Sequence, residues 1–149
     1  MKNAFLASLV GLAVVIALDS FIRIIIAVST GIPIPMISYE EFDFIWSLVI
    51  TIFAGITAFL GAMVSLKYGR NHKIMTVILF VLLMILIRYG QIHLLYPQET
   101  LFYPVTALIL SLAGIFLAWH LTSGKDKPDK KPKEKLHHYP ANSDEHSGS

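Results

Sequence analysis

Four predominantly apolar runs cover approximately residues 4–28, 44–66, 74–95 and 101–121 of this chain. A helix needs roughly 20 such residues to cross about 30 Å of hydrocarbon, and each run meets that length. An open strand in lipid would leave its backbone N–H and C=O groups unpaired, so helix is the only state these runs can adopt. The expected fold is an all-α integral membrane protein: a four-transmembrane-helix bundle over residues 1–123. The residues are 55% hydrophobic and the mean hydropathy is +0.65, more apolar than one soluble core of 149 residues can hide.

The polar segments between the runs sort by charge. Residues 29–43 carry Glu40, Glu41 and Asp43 with no Lys or Arg, and residues 96–100 carry only Glu99. Lys2 precedes the first run, and Lys67, Arg70 and Lys73 separate the second from the third. The positive-inside rule therefore predicts an N-in, C-in topology with both termini cytoplasmic, and the expected location is a bacterial-type inner (plasma) membrane. Aromatic rings agree with that frame: Tyr39, Trp46, Tyr96 and Tyr103 bracket the outer boundary, and Tyr68 and Trp119 the inner one. The first run passes Asp19 and continues to Val28, and no persuasive small-x-small cleavage site precedes Asp19, so it reads as an uncleaved anchor.

Gly31, Pro33 and Pro35 end the first helix, because proline cannot continue it, and predict an ordered or partly extended outer loop to Glu41. After the fourth run, Lys125, Lys127, Lys130, Lys131, Lys133 and Lys135 alternate with Asp, Glu and Pro. Such a composition cannot bury enough apolar surface to order itself, so residues 124–149 are expected to be a disordered Lys-rich cytoplasmic tail.

The chain has no cysteine, which excludes disulfides, thiolate nucleophiles, cysteine-ligated zinc and iron–sulfur clusters. The size and span count are those of small multidrug transporters, but those carry a lone Glu in the first span, where this chain has Asp19 followed by Arg23. Four-span quinone-linked redox enzymes need a cysteine pair that is missing here. No Ser-His-Asp arrangement, zinc motif, phosphate loop or catalytic carboxylate pair is present, so no enzymatic activity, cofactor or metal is expected. His72 and His120 read as interfacial residues, and His137, His138 and His146 as solvated tail residues.

Small residues at four-residue spacing mark helix contacts in lipid: Ala54, Ala58 and Ala62 on the second span, Ala7 and Gly11 on the first, Gly114 and Ala118 beside Ala107 and Ser111 on the fourth. They either close the bundle or face a partner subunit. The third span is mostly large aliphatic residues from Val77 to Ile87 and offers knobs or a lipid face.

Charge inside the spans is the feature with functional content. Asp19 and Arg23 stand four residues apart on the first span, and Arg88 and Gln91 three apart on the third. Counting the helical rise from the outer boundary puts Arg23 and Arg88 at a depth of roughly 12 Å and Asp19 at roughly 18 Å, with His93 and Tyr89 higher on an adjacent face. A charge at mid-membrane costs about 2.5 to 3.5 kcal/mol on insertion scales, so something compensates three of them. Asp19, Arg23, Arg88, Gln91 and His93 are therefore the candidate binding cluster. The bland interpretation is an interhelical clamp fixing the register of the first and third spans; the alternative is an outward-opening cavity where an arginine meets a lipid phosphate, a carboxylate or an acidic partner.

Two functions follow as expectations: a non-enzymatic accessory subunit or binding and assembly module of a membrane complex, or a small homo-oligomeric transporter with the cluster lining its path. A lipid-modifying enzyme using His93 as base would need a nearby carboxylate, for which only Glu41, Asp43 or Glu99 are placed. The expected partners are the lipid bilayer, other membrane subunits or further copies of the chain, and an anionic lipid; no nucleic acid is expected.

Overall fold

The computed structural model describes residues 2–31, 43–96 and 100–123. They form four helices, α1 (Lys2–Thr30), α2 (Phe44–Tyr68), α3 (Lys73–Leu95) and α4 (Phe102–Ser123), with a short 3-10 turn at Arg70–His72. All four are long and apolar enough to cross a membrane, and no strand occurs among the described residues. The expected outer loop at residues 32–42 and the Lys-rich tail at 124–149 lie outside the described residues.

Local chemistry sets the helix ends. Gly31 adopts a φ of 71°, the left-handed conformation that closes a helix and that a side chain would strain, so α1 stops at Thr30. Pro104 lies in the first turn of α4, where its missing N–H has no helical acceptor to lose. Most hydroxyl groups buried within the helices turn back onto their own helix: Thr51 Oγ1 donates to the Ser47 carbonyl at 2.7 Å, and Ser111 Oγ to the Ala107 carbonyl at 2.7 Å, whereas the buried Ser65 Oγ makes no such bond.

In cross-section the helices follow the order α1, α2, α4, α3, with α1 and α4 diagonally opposed. Chain neighbours α1 and α2 run antiparallel, whereas α1 and α3 run parallel: Ser8 meets Thr76 near one end and Asp19 meets Arg88 further along both helices. The α2–α4 pair is also parallel, and Ser111 Oγ donates across it to the Ala54 carbonyl at 3.2 Å.

Small residues bring these pairs together. Ala54, Ala58 and Ala62 are all at most 1% exposed, so the alanine row faces into the bundle. At the α1–α2 crossing, a Cβ on Gly11 would stand 2.5 Å from the Gly61 carbonyl oxygen, and at the α2–α4 crossing one on Gly114 would collide with the Gly55 carbonyl. Two apolar clusters fill the interior. One lies toward the end that holds Lys2 and Tyr68, around Leu12, Val15, Leu66, Phe80, Met84 and Ile115, and the other toward the end that holds Thr30 and Phe44, around Ile26, Ile50 and Ala107. The third span therefore supplies knobs to the core with Phe80 and Met84 and an outer face with Ile78, Leu82 and Leu86. That outer face is as apolar as the core, which fits a hydrocarbon solvent and not water.

Candidate functional site: a polar groove between α1 and α3

One turn above the apolar interior, α1 and α3 bring together four of the five candidate residues. Asp19 Oδ2 lies 3.8 Å from Arg23 Nε on its own helix and 3.7 Å from Arg88 Nη1 across the interface. Arg88 Nη1 also donates to Gln91 Oε1 at 2.9 Å, the i,i+3 pair that shares a face of α3. One carboxylate thus stands between two guanidinium groups that are almost wholly enclosed, Arg23 at 1% and Arg88 at 3% exposure. Asp19 retains 18% side-chain exposure because it borders a groove.

The groove has a volume of about 320 Å³ and runs along the α1–α3 seam. Asp19, Ser20, Arg23 and Gln91 supply its polar lining, and Ile16, Leu86, Ile87 and Leu94 its apolar walls. Gly90 leaves it open, since a Cβ there would meet no atom within 4 Å. The exposed flanks, Ile16 at 50% and Leu86 and Leu94 at 65%, turn the groove outward between the two helices.

His93 stands apart from the other four. From Arg88, Gln91 lies about 60° around the helix toward the groove, whereas His93 lies about 140° around in the opposite sense. Its ring stacks on Tyr89 at 6.4 Å between centroids and 3° between planes, on an exposed face. Of the acids that flank the helices, Asp43 precedes α2 and accepts from the Ser47 amide through its carbonyl at 3.0 Å, while Glu40, Glu41 and Glu99 lie outside the described residues.

Sequence reasoning missed the small residues of the groove, Ser20 and Gly90, which in a run of apolar letters look like ordinary helix interruptions. It also missed Ser8, buried at 0% exposure, whose Oγ bonds the Ala4 carbonyl at 2.9 Å and reaches the Thr76 carbonyl of α3 at 3.0 Å. A hydroxyl in an apolar span was the available signal, because in lipid it needs an acceptor on its own helix or the next.

No family model, curated protein or solved structure matches the chain.

Proposed function

We propose that this protein is a non-enzymatic accessory subunit of a membrane complex, inserted with both ends in the cytoplasm of a bacterial-type inner membrane, and that its α1–α3 groove receives a transmembrane helix of another subunit. The supporting observation is the groove's composition: small residues Ser20 and Gly90, a polar strip of Asp19, Arg23 and Gln91, and aliphatic walls. In lipid there is no hydrophobic driving force between helices, so interfaces depend on close van der Waals packing, which small residues permit, and on polar side chains that bond across the gap. The groove has both. Asp19 and Gln91 are placed to exchange hydrogen bonds with a polar side chain on the incoming helix. The orientation rests on Lys2, Lys67, Arg70 and Lys73 standing at one end of the bundle and Asp43 at the other.

A homo-oligomeric anion carrier is the second reading, favoured by two arginines beside an open groove. Against it, Leu12, Val15, Phe80 and Met84 close the bundle directly below the cluster. A path from the groove to the inner end would have to run between copies of the chain.

Native mass spectrometry after mild detergent extraction tests the assignment. The expected result is one other membrane subunit bound at fixed stoichiometry, released by Gly90→Trp, which fills the groove, while helical content stays unchanged. Repeated recovery of this chain alone removes the accessory reading. For the carrier, proteoliposome flux that persists in Asp19→Asn and Arg88→Gln variants removes the cluster from any transport path.

A further inference from the structure

The connection between α2 and α3 is a cationic hairpin held in one shape. The Gly69 amide donates to the Ser65 carbonyl at 2.8 Å and the His72 amide to the Gly69 carbonyl at 2.9 Å, so the chain reverses in a single tight turn. A side chain at Gly69 would collide with Thr76, which packs directly over it. Thr76 Oγ1 donates to the His72 carbonyl at 3.0 Å, and the Thr76 carbonyl accepts from Ser8 Oγ of α1 at 3.0 Å, tying the turn to a third helix.

This turn presents Lys67, Arg70 and Lys73, and recesses open on both sides of it. One, of about 620 Å³, joins these three cations to an apolar wall of Met63, Val64 and Leu66 and reaches Thr122 of α4. The other, of about 510 Å³, places Arg70, His72 and Lys73 above Ile74, Met75 and Ile78. Among the described residues, neither recess is lined by Asp or Glu.

From this geometry we infer a binding site for the phosphate headgroup of an anionic phospholipid at the α2–α3 hairpin, independent of the α1–α3 groove. Each recess is amphipathic in the sense a lipid requires, with cations at the mouth and an apolar wall descending along a helix long enough to cross a bilayer. A free anion would use the cations and leave the wall empty; a lipid uses both. Because the turn's backbone is already hydrogen-bonded, binding a phosphate needs ordering of the Lys67, Arg70 and Lys73 side chains and not of the backbone that carries them. Basic clusters beside a span attract anionic headgroups, and neutralising one cation weakens retention by roughly fivefold.

The test reconstitutes the full chain into nanodiscs of phosphatidylcholine and phosphatidylglycerol at equal amounts, extracts it mildly and counts retained lipids by native mass spectrometry. Phosphatidylglycerol is expected to be retained in preference to phosphatidylcholine. Lys67→Gln with Arg70→Gln, both on exposed positions that leave the helices intact, is expected to reduce that preference by roughly 25-fold. Val64→Trp, which fills the apolar wall and keeps every charge, is expected to reduce it as well. Equal retention of the two lipids, or a preference unchanged in both variants, overturns the site. Displacement of the lipid by millimolar inorganic phosphate, or loss with the charge variant but not with Val64→Trp, assigns the hairpin to soluble anions and overturns the lipid assignment.

Discussion

Arg23 and Arg88 illustrate how a charge survives where water does not reach. Each guanidinium is almost fully enclosed, and Asp19 offers both the same carboxylate oxygen at 3.7 to 3.8 Å. These distances describe ion pairs and not direct hydrogen bonds, so the attraction is Coulombic and grows as the surroundings become less polarisable. Removing one partner of a buried pair costs roughly 3 to 5 kcal/mol, whereas replacing all partners by apolar residues of similar volume is often neutral. Asp19→Ala is accordingly expected to lower stability by about that amount in a detergent unfolding titration. Replacing Asp19 by Leu together with Arg23 and Arg88 by Met removes all three charges at the cost of the Arg88–Gln91 bond, and is expected to restore part of it. If the cluster is only a clamp, partner recovery returns with stability in the triple variant; if it recognises a partner, stability returns and recovery does not.

At the level of helix pairs, glycine placement decides which faces can meet. Gly61 packs under Val15 and the Gly11 carbonyl, and Gly114 against the Gly55 carbonyl, so the nearest atoms include backbone that cannot swing aside. Gly61→Ala is therefore expected to force α1 and α2 apart and destabilise the bundle by about 1 to 3 kcal/mol, the usual range for overpacking. Gly90→Ala makes the contrasting prediction. Its new methyl enters open space, so the substitution is expected to be neutral or to stabilise α3 by up to about 1 kcal/mol through helix propensity. Thermal unfolding of the two variants in the same detergent checks both, and an equal loss in each would contradict the packing described for α1 and α2.

For the molecule as a whole, the sidedness of charge and the parallel pairing of α1 with α3 and α2 with α4 make one prediction. Lys2, Asn71 and Ser123 belong to one end of the bundle, and Asp43 and Thr100 to the other. The native chain has no cysteine, so single Cys substitutions at these exposed positions are clean reporters. In intact cells a membrane-impermeant maleimide is expected to label positions 43 and 100 and to reach 2, 71 and 123 only after lysis. Labelling of 71 from outside would invert the topology and move the cationic hairpin to the outer leaflet.

The number, extent and helical state of the spans were legible in the amino-acid sequence alone, because hydropathy adds along the chain and a helix satisfies its backbone without a partner. The depth match of Arg23 with Arg88 was legible too, since helical rise converts residue counts into height. Which helices lie side by side was not, because short connections allow more than one cyclic order of four helices. The α1–α2–α4–α3 order rests on contacts between residues far apart in sequence, Gly11 with Gly61 and Gly55 with Gly114. Only the tertiary structure decided that Asp19 faces Arg88, that His93 turns away to Tyr89, and that Gly90 opens a groove and not a contact. These outcomes depend on how each helix is rotated about its axis, and in a chain that is apolar on every side that rotation is set by the neighbouring helices.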